Sequence, residues 1–245
     1  MDLKFLTAKS AALKSHPDRR GKRTLLLLES GRKVASVLSR SDLLEKTSHV
    51  ISFISHWHPD HFQDVVKVQI LCESLGIPLS FLDYFDSEID SDKLYENLKQ
   101  FGVKRPDMIS RKHAEKDMDL TLETEKLVHG NTYSRALIMK DPDAKERSVK
   151  IFLPDNNDVT KSHGLFSGGG AFPLEDVDML CFDVTHKPQA SSIHLSINSV
   201  EKFKTPYELR KRFVAWHYPA KGAKQLQKDI KTLGYADYAD HRVTW

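Results

Sequence analysis

The segment Ser55-His56-Trp57-His58-Pro59-Asp60-His61 constrains this chain more than any other. It follows His49-Val50-Ile51-Ser52-Phe53-Ile54, an apolar run that reads as a buried strand. In an extended backbone, side chains two apart share a side, so His56 and His58 can grip one ion together. Pro59 breaks the pairing pattern and turns the chain. Asp60 and His61, at the mouth of a following helix, are thereby presented to a second ion. Imidazole and carboxylate donors suit zinc and also manganese or iron, so the cluster leaves the metal open. Trp57 faces away from its two neighbours and reads as core.

The surrounding pattern is α/β. Strands are expected over Thr24–Glu29 and Lys33–Leu38, joined as a tight hairpin through Ser30-Gly31-Arg32. A third, His49–Ile54, delivers the histidine segment. Phe62–Leu75 reads as a helix stopped by Gly76 and Pro78, with Val65, Val68, Cys72 and Leu75 at helical spacing. Leu79–Leu82 is a short strand and Ser91–Phe101 a second amphipathic helix. Further strands are expected over Arg135–Lys140 and Val149–Leu153, flanking a polar turn at Asp141–Ala144, and over Asp178–Asp183. The tail Ala223–Leu233 is helical. Ser162–Pro173, with Gly168-Gly169-Gly170, has neither period and reads as a flexible loop whose glycines suit close approach to a ligand.

At 245 residues the chain suffices for one α/β domain, residues 1–245. A net charge of +3 gives no concentrated basic face. The run Arg19, Arg20, Lys22, Arg23 reads as a solvated loop. The two cysteines, Cys72 and Cys181, lie in apolar segments and read as buried hydrophobes of a reduced, intracellular protein. No signal-peptide core opens the sequence, and no apolar stretch approaches the roughly 20 residues of a membrane span. A cytoplasmic protein with no membrane partner is expected.

The histidine segment resembles the HxHxDH signature of the metallo-β-lactamase superfamily. Its later ligands come singly, each at a strand end, and this chain offers His129 after Lys126-Leu127-Val128, Asp155 after Val149–Pro154, and His217 after Arg212–Trp216, in the same order. The resemblance implies a four-layer αββα sandwich and a dinuclear centre. His56, His58 and His129 would bind one ion, Asp60, His61 and His217 the other, with Asp155 bridging; the ions implied are two zinc or manganese.

Two further segments point to the branch of transfer-RNA 3′-processing endonucleases and cyclic-nucleotide phosphodiesterases, including phage anti-Pycsar enzymes. Phe182-Asp183-Val184-Thr185-His186 is similar to their His-Glu-Ala-Thr segment, and His194-Leu195-Ser196 to their His-Ser-Thr. Carried over, Asp183 orients and charges His194, and His194 donates a proton to the leaving oxygen. Asp60, too, belongs to this catalytic set. The Phe-Asp-Cys-Gly-Glu-Gly segment of the endonucleases is missing; Asp42 is the nearest acid in the corresponding stretch. The long arm that clamps transfer RNA is missing as well. The resemblance therefore implies a metal-dependent phosphodiesterase acting on a nucleotide, with cyclic nucleotides favoured. RNA 3′ processing, ester or lactone hydrolysis, and nucleotide binding without turnover are the alternatives. Related enzymes are commonly homodimers.

Overall fold

The computed structural model describes residues 1, 3–7, 9–84, 88–129, 132–144, 148–156, 173–185, 195–200, 205, 207–216 and 223–241. It divides into two compact units, Met1–Leu120 with His241–Trp245, and Thr121–Asp240.

The first unit carries a six-stranded sheet in the order β1 (Leu3–Thr7), β2 (Ser10–Lys14), β3 (Arg23–Leu28), β4 (Thr47–Phe53), β5 (Leu79–Asp83), β6 (Asp107–Ser110). The β1–β2 and β2–β3 pairs are antiparallel, and β3 to β6 run parallel. Strand β1 therefore points the same way as β3 to β6, and all five deliver their C-terminal ends to one edge. Leu25–Leu28 and Val50–Ile51 are wholly buried, the continuous apolar run expected of parallel strands covered on both faces. Five helices accompany the sheet: α1 (Val34–Leu38), α2 (Pro59–Phe62), α3 (Val65–Leu75), α4 (Glu88–Gln100) and α5 (Arg111–Met118). One apolar cluster joins Leu25, Leu27 and Val50 to Val34, Val37, Val68 and Cys72. Another joins Ile54, Phe62 and Phe81 to Leu94, Leu98 and Val103.

The second unit carries another six-stranded sheet, in spatial order β12 (Ala236–Asp237), β11 (Phe213–Trp216), β10 (Val177–Asp183), β9 (Val149–Phe152), β8 (Thr132–Lys140), β7 (Thr121–His129). Strands β9 to β12 are parallel, while β8 is antiparallel to both β7 and β9. Two reversals restore the direction, so β7 again points with β9 to β12. Among the described residues, helices α6 (Ile197–Val200) and α7 (Ala223–Thr232) accompany it, with Val200, Leu226 and Ile230 in the core beside Leu180, Phe182 and Phe213. Lys150 is tolerated in buried β9 because its ammonium pairs with Asp178 of β10.

Two expectations need correction. Residues 34–38 form helix α1, with Lys33 as its N-cap, so there is no hairpin at Ser30-Gly31-Arg32. Val34, Val37 and Leu38 are buried while Ser36 is exposed, the spacing of a helix. The helix expected over Phe62–Leu75 is two helices, α2 and α3, with residues 63–64 between them. The opening hairpin β1–β2, strand β6 and helix α5 were not anticipated; the first is short and the last is charged on most of its surface.

Among the described residues, no helix is long and apolar enough to cross a membrane.

Candidate metal centre

In the first unit, the histidine segment leaves the C-terminal end of β4. His58 is extended (φ −79, ψ 137) and caps α2, Pro59 supplies a first helical residue that needs no N–H partner, and Asp60 and His61 occupy the single turn. On one side Trp57 is fixed among Phe62 and Phe101, at ring-centroid distances of 5.9 and 5.8 Å. That leaves His56 and His58 on the other side, with ring centroids 4.7 Å apart; His61 lies 4.1 Å from His56.

The loop after β3 cradles this segment. Ser30 N–H donates to the His61 carbonyl (2.6 Å), and the Ser30 carbonyl accepts from Asp64 N–H (2.8 Å). Gly31 sits where a Cβ would run into the Asp60 carbonyl, so a side chain cannot be placed there without moving the turn. Glu29 is wholly buried and adopts a left-handed φ of 65, a conformation costing a non-glycine residue about 1–2 kcal/mol. Its N–H bonds the Phe53 carbonyl at 2.9 Å, and its carboxylate accepts from Ser55 N–H at 3.3 Å. The same carboxylate lies 3.3 Å from His61 Nδ1. A carboxylate at Nδ1 favours the proton there and leaves Nε2 as a donor of electrons to a metal. Ser55 Oγ lies 2.9 Å from His56 Nδ1 and orients that ring likewise. Asp60 is engaged by the Lys9 ammonium, from the β1–β2 turn.

In the second unit the candidate donors share one edge because β7, β9, β10 and β11 all end there. His129 is the last residue of β7, Asp155 follows β9, and Asp183 ends β10. All three are buried, and His129 Nε2 lies 4.0 Å from Asp155 Oδ2. The Asp155 carbonyl is held by Ser134 Oγ at 2.6 Å. Asn156 bridges the neighbouring loops, its Nδ2 donating to the Pro154 carbonyl (2.9 Å) and to Asp183 Oδ1 (3.1 Å). Trp216 is core as expected, its Nε1 donating to the Leu153 carbonyl at 3.0 Å. Leu195 and Thr185 are joined by a 2.8 Å backbone bond, so the segment after residue 194 runs beside the end of β10.

The donor chemistry fits a divalent ion. In the first unit His56 and His61 each offer a ring nitrogen within 4.8 Å of the other, backed by Glu29; in the second, His129 and Asp155 form an imidazole–carboxylate pair. His194 and His217 lie outside the described residues, as do residues 162–172 of the expected loop. The sequence reading missed Glu29, Asn156 and Lys9. Asp42 is not the acid beside the histidines: it opens a 3-10 turn, where its carbonyl accepts from Lys14 Nζ at 2.7 Å. The signal for Glu29 was a lone acid ending an otherwise apolar strand; Asn156 had none beyond its place after Asp155.

No family model matches the sequence. No curated protein matches it either. Solved structures do. Human tRNase Z, short form, aligns over 90% of this chain and 94% of its own at 15% identity, with a TM-score of 0.59. The YhfI protein of Bacillus subtilis, described as a metallo-β-lactamase fold protein, aligns over 87% of this chain and 83% of its own at 18% identity, TM-score 0.57. A diphosphatase of the PhnP family aligns over 85% and 72% at 15% identity, TM-score 0.54. With two six-stranded sheets of this topology and these structural likenesses, the chain has the metallo-β-lactamase fold.

Proposed function

We propose that the chain is a metal-dependent phosphodiesterase acting on a nucleotide, with cyclic nucleotides favoured. The observation that carries the reading is the gathering of imidazoles and carboxylates at the C-terminal strand ends of each unit: His56, His58, Asp60 and His61 in the first, His129 and Asp155 in the second. Two of the similar structures, a tRNase and a diphosphatase, bear names that denote cleavage at phosphorus. In this reading His56, His58 and His129 hold one divalent ion, and Asp60, His61 and His217 the other. Asp155 serves both. Zinc suits this donor set, and manganese is the alternative. Bound there, such ions would lower the pKa of water and neutralise charge on phosphate oxygens.

The remaining work falls to the chain. Ser55 orients the ring of His56 through a hydrogen bond, and the Glu29 carboxylate lies beside His61 Nδ1, where it favours a proton on that nitrogen. Asp183, buried and held by Asn156, is the acid that would orient His194 as its imidazolium. His194 would then protonate the departing ribose oxygen.

The test is a substrate panel: cyclic mononucleotides, cyclic dinucleotides, bis(p-nitrophenyl) phosphate, unprocessed transfer RNA, and simple esters and lactones. Turnover of a cyclic nucleotide is expected. His194→Ala should lose about 10²–10⁴-fold on the nucleotide, whose leaving alkoxide needs a proton. It should lose little on bis(p-nitrophenyl) phosphate, whose phenolate departs unaided. Turnover of transfer RNA alone would support the endonuclease reading, and turnover of esters alone would reject cleavage at phosphorus.

A further inference from the structure

Lys9 lies in the turn between β1 and β2, far in sequence from the histidine segment. The direction of β1 nevertheless brings that turn to the edge where β3 and β4 end. Three contacts fix it there. Lys9 N–H donates to Thr7 Oγ1 at 3.0 Å, Ser10 Oγ donates to the Lys9 carbonyl at 2.7 Å, and Gly31 N–H donates to Ser10 Oγ at 3.2 Å. A Cβ on Gly31 would meet the Asp60 carbonyl and, at 3.3 Å, Lys9 Cβ. Gly31 thus lets the hairpin turn and the metal-binding turn close on each other. From that junction the Lys9 ammonium reaches Asp60 Oδ2, with the two side chains 33% and 37% exposed.

We infer that Lys9 sets the affinity of the Asp60 position for a cation, making its ion the more weakly held of the two. This rests on the reading above, in which Asp60 is a ligand. An ammonium on Asp60 Oδ2 neutralises the carboxylate that a divalent ion would take and competes with the ion for that oxygen. The displaced ammonium then stays tethered nearby, where like charge opposes the incoming dication. The ion pair itself is half exposed and contributes little, about 1.4- to 5-fold in affinity. Repulsion between a cation and a dication a few ångströms apart adds to it. A combined effect of about tenfold is expected. The ions at the other position, served by His56 and His58, feel no such competitor from Lys9.

The experiment titrates zinc into the metal-free full chain against a chromophoric chelator, for wild type and for Lys9→Ala, Lys9→Met and Lys9→Arg. The first-ion Kd should be the same in all four. The second-ion Kd should tighten about tenfold in the Ala and Met variants, and stay near wild type in the Arg variant, which keeps the charge. An unchanged second Kd in Lys9→Ala and Lys9→Met overturns the inference, as does equal tightening in Lys9→Arg. Asp60→Ala separates the two levels. If it abolishes the second ion while the Lys9 variants change nothing, only the role of Lys9 falls. If it leaves both Kd values untouched, Asp60 is no ligand and the reading of the site falls with it.

Discussion

The two units present their candidate site residues in opposite ways. In the first, His56, His58, Asp60 and His61 come from one short segment, and long-range contacts serve only to hold that segment: Glu29, Ser30 and Gly31 brace it from behind. In the second, His129, Asp155 and Asp183 come from three separate strand ends, and nothing local relates them. What relates them is sheet direction. Two antiparallel steps return β7 to the sense of β9 and β10, so their C-terminal ends fall on one edge, where ligands bind in open α/β sheets. A local segment needs a brace, whereas dispersed donors need a rigid sheet. Damage should therefore read differently in the two units.

The largest effect on stability is expected at the brace. Gly31→Ala places a Cβ against the Asp60 carbonyl, and overpacking of this kind costs about 1–3 kcal/mol. For a chain of this size that is a fall in Tm of about 2–12 °C. A melting curve within a degree of wild type would show that the turn can shift without cost. Glu29→Gln should act more selectively. It keeps the side-chain shape and an oxygen for Ser55 N–H but removes the carboxylate from His61 Nδ1. Loss of such an orienting partner costs about 10–100-fold in metal affinity. Chelator competition at constant fold, checked by circular dichroism, measures it. Affinity unchanged by the substitution would mean that His61 is oriented by its backbone alone.

The same contrast explains what could be read from the sequence. The histidine segment, the strands leading into His129, Asp155 and Asp183, and the helix at 223–232 were legible because each carries its signal within a few residues. Helix α1 was misread because Val34, Val37 and Leu38 span little more than one turn, too short a run for period two and period 3.6 to separate. The hairpin holding Lys9 was missed because Leu3–Lys14 mixes lysine with apolar residues, and its function depends on where β1 points, which no local pattern encodes. Glu29 and Asn156 act through contacts with residues 26 and 27 positions away. Such partners are fixed by strand order, and strand order is not written locally.

The proposed function requires ligands from each unit for its pair of ions. Metal content by mass spectrometry, after metal supplementation and gel filtration, tests this most directly. Wild type should carry two ions per chain. Asp155→Ala, in the second unit, should lose both along with hydrolysis, since its carboxylate is assigned to each ion. His58→Ala, in the first, should lose the ion it shares with His56. An Asp155→Ala protein that kept two ions and full turnover would contradict the account.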